Sequence, residues 1–148
     1  IFDEHMPKAN QVDRLREDIE VGPADLVAVP EGTITEAGVR GNIRVAIQYL
    51  ASWLAGQGCV PIDYLMEDAA TAEIARAQLW QWVRYPEGRL DDGRDIDFDR
   101  VFTWLDEELA GLGEAPGRVE EAAELLRKLI QNDDFTSFLT LPAYEMLD

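Results

Sequence analysis

Glu67 and Asp68 stand side by side at the head of an alanine-rich stretch, and Cys59 lies a few residues before them, across Pro61. These are the side chains whose type and placement could do chemistry. Behind Asp68 come Ala69, Ala70, Ala72, Ala75 and Ala77, all strong helix formers. Asp is among the best N-caps, because its oxygen accepts a hydrogen bond from an otherwise orphaned N–H of the first turn. A carboxylate is therefore held at a defined place, where it can act as a general base or acid. An Asp68 that only caps, with Glu67 a solvated neighbour, also satisfies this pattern. Pro61 fixes its own φ and pushes Val60 toward an extended conformation, so the segment after Gly58 is expected to cross the surface as a rigid loop.

Other chemistries are poorly served. His5 is the only histidine and Cys59 the only cysteine, so no Ser-His-Asp or Cys-His arrangement, internal disulfide or thiolate metal cluster can be assembled from them. Gly88 to Gly93 lacks the strand-to-helix context of a phosphate cradle. With 30 acidic against 13 basic residues and a net charge of −17, the chain is a poor match to nucleic acid or to an anionic membrane surface. No run of about 18 apolar residues occurs that would span a bilayer. One cysteine suits a reducing compartment, and the closing residues Tyr144 to Asp148 are not a peroxisomal address. A reducing cytoplasm is the resulting expectation, and a bacterial one is implied only by the family resemblance given below. The start at Ile1, without an initiator methionine, suggests an excised piece of a longer polypeptide.

With 148 residues, 47% of them hydrophobic, the chain can bury one sizeable core. Residues 1–33 carry Pro7, Gly22, Pro23, Pro30 and Gly32 with no sustained apolar period, which reads as an irregular arm or linker. Val27, Val29 and Ile34 are the residues by which part of it could pack. A helix is expected from about Thr35 to Ala55, opened by a capping box at Thr33 and Glu36 and closed by Gly56 and Gly58. Val39, Ile43, Ala46, Ile47, Leu50 and Leu54 form its apolar face. Gly38 and Gly41 mark either a close approach or merely tolerated positions. A second helix runs from Asp68 to about Tyr85 and buries Ala72, Ala75, Leu79, Trp82 and Val83, with Trp80 and Trp82 in a core or domain interface rather than a stacking platform. Residues 86–96 form a turn. A third helix spans Asp97 to Leu112, and a fourth begins near Pro116 and buries Val119, Ala122, Ala123, Leu126, Leu129 and Ile130. The tail, Phe135 to Leu141 and then Ala143 to Leu147 after Pro142, makes one or two short helices that close the bundle. No strand pair is evident, and the expected architecture is mainly α, a helical bundle over residues 34–148.

The run Met66 to Ile74, preceded by Gly58 to Ile62 and followed by Gln78 to Trp82, resembles the A-type malate synthases, specifically their C-terminal domain. Gly38, Arg40, Asn42, Ile43, Arg44 and Val45, and the segment Phe138 to Tyr144, extend the resemblance along the chain. It implies that Ile1 to His5 end the last helix of a β/α barrel, and that Met6, Pro7, Asn10 and Gln11 begin a connection to a C-terminal plug domain. It further implies that Asp68 is the catalytic acid/base in the condensation of acetyl-CoA with glyoxylate and hydrolysis to malate and CoA. Cys59 and Glu67 are the accompanying candidates for substrate contact. Cys59 lies either near the pantetheine end of acetyl-CoA or as a plain buried thiol. The resemblance places Mg²⁺, its carboxylate ligands and an enolate-stabilising arginine on the barrel, with no metal ligand on this chain. The implied partner is the chain's own barrel, the isolated piece being monomeric and inactive. A helical docking module working through Trp53, Trp80 and Trp82 is the alternative.

Overall fold

The computed structural model describes residues 2–5, 7–9, 15, 17–29, 31–113 and 118–147. It divides into two compact units, Ile1–Gly32 and Thr33–Asp148. The first holds two single-turn helices, α1 (Phe2–His5) and α2 (Pro23–Leu26). Pro23 occupies the first turn of α2, where its missing N–H costs nothing. Leu26, Val27 and Val29 are exposed, so the two valines are not the packing residues their apolar character suggested. The readings made at Met6, Asn10, Gln11 and Pro30 lie outside the described residues.

The second unit is a mainly α bundle: α3 (Glu36–Leu54), α4 (Ala69–Trp82), α5 (Phe98–Leu112), α6 (Val119–Gln131) and α7 (Thr140–Tyr144). Among the described residues no helix is long and apolar enough to cross a membrane. The central element is α3, which packs against α4, α5, α6 and α7. All six residues of its expected apolar face are buried, and so are Tyr49 and Ala51. A helix touched from several sides buries more than one stripe, which is why those two escaped the periodicity. The cap of α3 is Thr35, whose Oγ1 accepts from the Gly38 amide at 3.0 Å. The expected box at Thr33 and Glu36 does not form, because the Glu36 carboxylate is engaged by Arg40 Nε at 2.9 Å and Arg94 Nη2 at 2.7 Å. Of the two early glycines, Gly41 has open space around it, whereas a Cβ on Gly38 would press on the capping Thr35 Oγ1.

Two further expectations change. A two-stranded antiparallel hairpin, β1 (Val60–Ile62) and β2 (Leu65–Glu67), stands where a loop was expected. Helix α4 stops at Trp82, because the chain doubles back until Gly88 lies against the Trp82 carbonyl. A Cβ there would sit 2.0 Å from that oxygen, so only glycine fits. Residues 86–96 do turn, but they also feed Leu90 and Ile96 into the core through an isolated bridge between Arg89 and Asp95. The tail forms one short helix, α7, within the one or two expected. Pro142 lies in the first turn of α7, where a proline is tolerated.

Residues 135–139 stay non-helical because α4 side chains take their backbone groups. Arg76 Nη2 donates to the Thr136 carbonyl at 2.6 Å and Glu73 Oε1 accepts from the Leu139 amide at 2.5 Å. Arg76 is 1% exposed, pairs with Glu73 at 2.8 Å and lies 4.0 Å over the Phe135 ring. Its Nη1 is buried without a hydrogen-bond partner among the described residues. Breaking a buried pair strands the remaining charge, at a cost of about 3 to 5 kcal/mol. Arg76→Ala is therefore expected to lower stability by about 3 kcal/mol in urea unfolding, with early loss of amide protection across 135–144. A change below about 0.5 kcal/mol, typical of a surface site, would contradict this role.

Candidate functional site

The hairpin is the device that carries the sequence-derived candidates. Its register pairs Val60 with Glu67, Pro61 with Met66 and Ile62 with Leu65. Pro61 is exposed, as an edge-strand proline must be. Ile62 is 4% exposed and Val60 packs against the core, so β1 anchors the ribbon. At the tip, Asp63 and Tyr64 both have positive φ, 47° and 66°, the requirement of a type I′ turn. For a bulky aromatic that conformation is strained by about 1 to 2 kcal/mol. The strained ring is fully solvent-facing, and Leu65 and Met66 beside it are 62% and 69% exposed.

At its other end the ribbon closes on the pair Val60 and Glu67, with Cys59 just before β1 and Asp68 just after β2. Asp68 has extended backbone and caps α4. Its Oδ1 accepts from the Ala70 amide at 2.9 Å and the Thr71 amide at 3.2 Å. Both bonds fall on one oxygen. Oδ2 accepts no hydrogen bond from any described residue, and the side chain is exposed. Capping and reactivity can thus coexist in one carboxylate. Glu67 belongs to β2 and is half-buried. An extended backbone sends neighbouring side chains to opposite faces, so the two acids, though adjacent in sequence, do not converge at the helix mouth. Cys59 is an exposed free thiol, which removes the buried-thiol alternative.

Beneath the open end lies a residue that the periodicity missed. Tyr49 of α3 is 1% exposed and its hydroxyl donates to the Gly58 carbonyl at 3.2 Å. Burial pushes its phenol pKa up, and the negative charges of Cys59, Asp68 and Glu73 push the same way. The sequence signal was faint: an aromatic one place off the apolar stripe. Among the described residues no group of three or more His, Cys, Asp or Glu could hold a metal ion.

Residues 33–147 match the family model described as "Malate synthase, C-terminal". The chain belongs to this family. It is 47% identical over 155 residues to a malate synthase of Myxococcus xanthus, covering 100% of this chain and 28% of that protein. It is 47% identical over 151 residues to a bifunctional glyoxylate cycle protein of Caenorhabditis elegans, covering 99% of the chain and 16% of the relative. Malate synthase A of Escherichia coli is 41% identical over 148 residues, covering 95% and 28%. The chain thus spans less than a third of the length of each.

In this malate synthase C-terminal domain the tryptophans are committed internally. Trp53 meets Tyr144 edge-on at 5.0 Å, and Trp80 donates Nε1–H to the Asn132 carbonyl at 2.8 Å while packing on Phe135. Trp53 and Trp82 are partly buried against the core. A docking face is better supplied by Tyr64, Leu65 and Met66.

Two substitutions separate these effects. Asp68→Ala removes the cap and is expected to cost about 1 kcal/mol in urea unfolding, whereas Asp68→Asn, an equally good cap, costs a few tenths at most. Equal losses for both would show that the cap bonds are not the source of stability. Tyr64→Gly relieves the tip and is expected to raise stability by about 1 kcal/mol. A destabilised Tyr64→Gly would show that the ring is packed rather than strained.

Proposed function

We propose that this chain is the part of a malate synthase that presents Asp68 as the acid/base of the reaction. The observation that carries the reading is the half-used carboxylate at the mouth of α4, with Oδ1 locked to two backbone amides and Oδ2 open to solvent. In the proposed sequence Asp68 takes a proton from the methyl group of acetyl-CoA. The carbanion adds to the aldehyde carbon of glyoxylate, and water then cleaves the malyl thioester to give malate and CoA. Asp68 can return its proton during these later steps. A carboxylate is a weak base for a carbon acid, so the developing enolate needs electrostatic stabilisation in a closed site. This chain offers no metal-ligating cluster among the described residues. In this reading Mg²⁺ and its ligands belong to the β/α barrel, as the family resemblance implies, and no step here runs through them.

Residues 34–148 then act as a plug over the C-terminal mouth of that barrel, where such enzymes carry their sites, with residues 1–33 as the connecting arm. The exposed Tyr64, Leu65 and Met66 support docking there. Cys59, which precedes β1 as Asp68 follows β2, is proposed to lie near the pantetheine of acetyl-CoA, with Glu67 bordering the same pocket. The setting is the glyoxylate cycle in a bacterial cytoplasm.

The same exposed tip also fits a non-catalytic docking module, and activity separates the two. Asp68→Asn in the barrel-containing enzyme is expected to keep the fold and abolish malate formation from acetyl-CoA and glyoxylate. Near-normal turnover would refute the assignment. The 148-residue chain alone is expected to be monomeric and inactive, and mixing it with a separately made barrel is expected to restore part of the activity. Binding without activity in that mixture would favour the docking reading.

A further inference from the structure

The hydroxyl of Tyr49 makes a contact that core packing alone does not require. Its ring sits on α3 inside the bundle, 1% exposed, where a phenylalanine would fill the same space. The hydroxyl reaches the Gly58 carbonyl. Without such a tie, residues 55–59 would be an exposed, glycine-containing connection, free to pivot between α3 and the hairpin. Ser52, one turn later on α3, donates to the neighbouring Gln57 carbonyl at 3.4 Å. Two hydroxyls of one helix therefore hold consecutive carbonyls of the segment that feeds β1.

The path from there to Asp68 is short. Gly58 is followed by Cys59 and then Val60, whose ladder partner is Glu67, and Asp68 is the next residue. A shift at Gly58 moves Val60 along its ladder and carries Glu67 and Asp68 with it. The cap bonds at Ala70 and Thr71 tie the carboxylate to α4 from the other side. Burial, followed by the nearby charges of Cys59, Asp68 and Glu73, raises the phenol pKa. The hydroxyl thus stays protonated and able to donate.

We propose that Tyr49 is a positioning residue for the Asp68 carboxylate, acting through the Gly58 carbonyl and the hairpin register. The proposal rests on the catalytic reading of Asp68 given above. It assigns to one phenolic oxygen the task of setting where the open end of the ribbon, with Cys59 just before β1 and Asp68 just after β2, meets the substrates.

Tyr49→Phe in the barrel-containing enzyme tests it, with kcat, KM for both substrates, the unfolding midpoint, amide exchange and the rate of Cys59 alkylation by iodoacetamide all read on the same protein. Misplacing a catalytic group by a fraction of an ångström costs of the order of tenfold in rate. The expected result is therefore a fall of about tenfold in kcat, with KM for glyoxylate within about twofold. Exchange at Val60 and Glu67 and Cys59 alkylation should quicken, while the helices keep their protection and midpoint. Wild-type turnover together with an unchanged kcat in Tyr49→Phe would overturn the positioning role alone. Unfolding or uniform loosening of the variant would also overturn it, since the hydroxyl would then serve the fold. A wild-type enzyme that makes no malate would remove the catalytic reading and this proposal together.

Discussion

The structure depends on a carboxylate that uses one of its two oxygens to cap a helix. A helix N-terminus has amides without partners, and an aspartate at its cap satisfies them with one oxygen. Because both cap bonds of Asp68 fall on Oδ1, the side chain is oriented by backbone and still has an unused acceptor. A carboxylate on a loose loop would be equally basic but would occupy many positions. One sealed in the core would be fixed but unreachable. The mouth of α4 avoids both, and the surrounding elements hold that helix end still. Above it the hairpin restricts the entering chain. Below it, Glu73 and Arg76 in the next turn bind the 135–139 segment, while Tyr49 and Ser52 hold the approach to the ribbon from α3.

The basic residues explain how so acidic a chain packs its helices. Arg40 bridges Glu36 on its own helix to Glu107 and Glu108 on α5, and Arg44 reaches Glu108 and, at 3.7 Å, Asp63 at the hairpin tip. Arg84 donates to the carbonyls of Ile130, Gln131 and Asn132, placing a cation at the negative C-terminal end of α6. Burial nevertheless lowers the pKa of Arg84, outweighing the pull of Asp133 and Tyr85. Individually, the exposed pairs among these are worth little. Their use is directional, because several join elements far apart in sequence and set which helix faces which. The surplus negative charge is left on the outside, where it serves solubility more than recognition.

What could be read from the sequence was what local rules govern. The apolar stripes of α3 and α6 and the cap at Asp68 follow from spacing and side-chain chemistry, and each lies where expected. The hairpin was hidden because its strands are three residues each and its turn is Asp-Tyr rather than an Asn-Gly or Asp-Gly pair. Arg76 was hidden because burying a guanidinium depends on Glu73 and the distant Thr136 carbonyl, which no window on α4 contains. The start of the tail helix was not legible for the complementary reason: α4 side chains take the Thr136 carbonyl and the Leu139 amide, and the helix begins only at Thr140. At the site, the position of Asp68 was legible. The separation of Glu67 from it was not, because that follows from strand alternation in a strand not foreseen.

The strained tip bears on how the domain is used. A type I′ turn is cheapest with glycine or asparagine, and this ribbon instead places an aromatic at a φ of 66° and leaves it in water. Neither fact helps the isolated fold: the conformation costs energy and the exposed ring recovers none. Leu65 and Met66 repeat the pattern on the adjoining strand. Strained, solvent-facing apolar residues at the end of an otherwise well-anchored ribbon are accounted for when a second surface covers them. The same short strands connect that tip to the open end bearing Cys59 and Asp68, so contact at the tip and the placement of the carboxylate are mechanically joined. A surface that seats Tyr64 would restrain the ribbon from above as Tyr49 does from below.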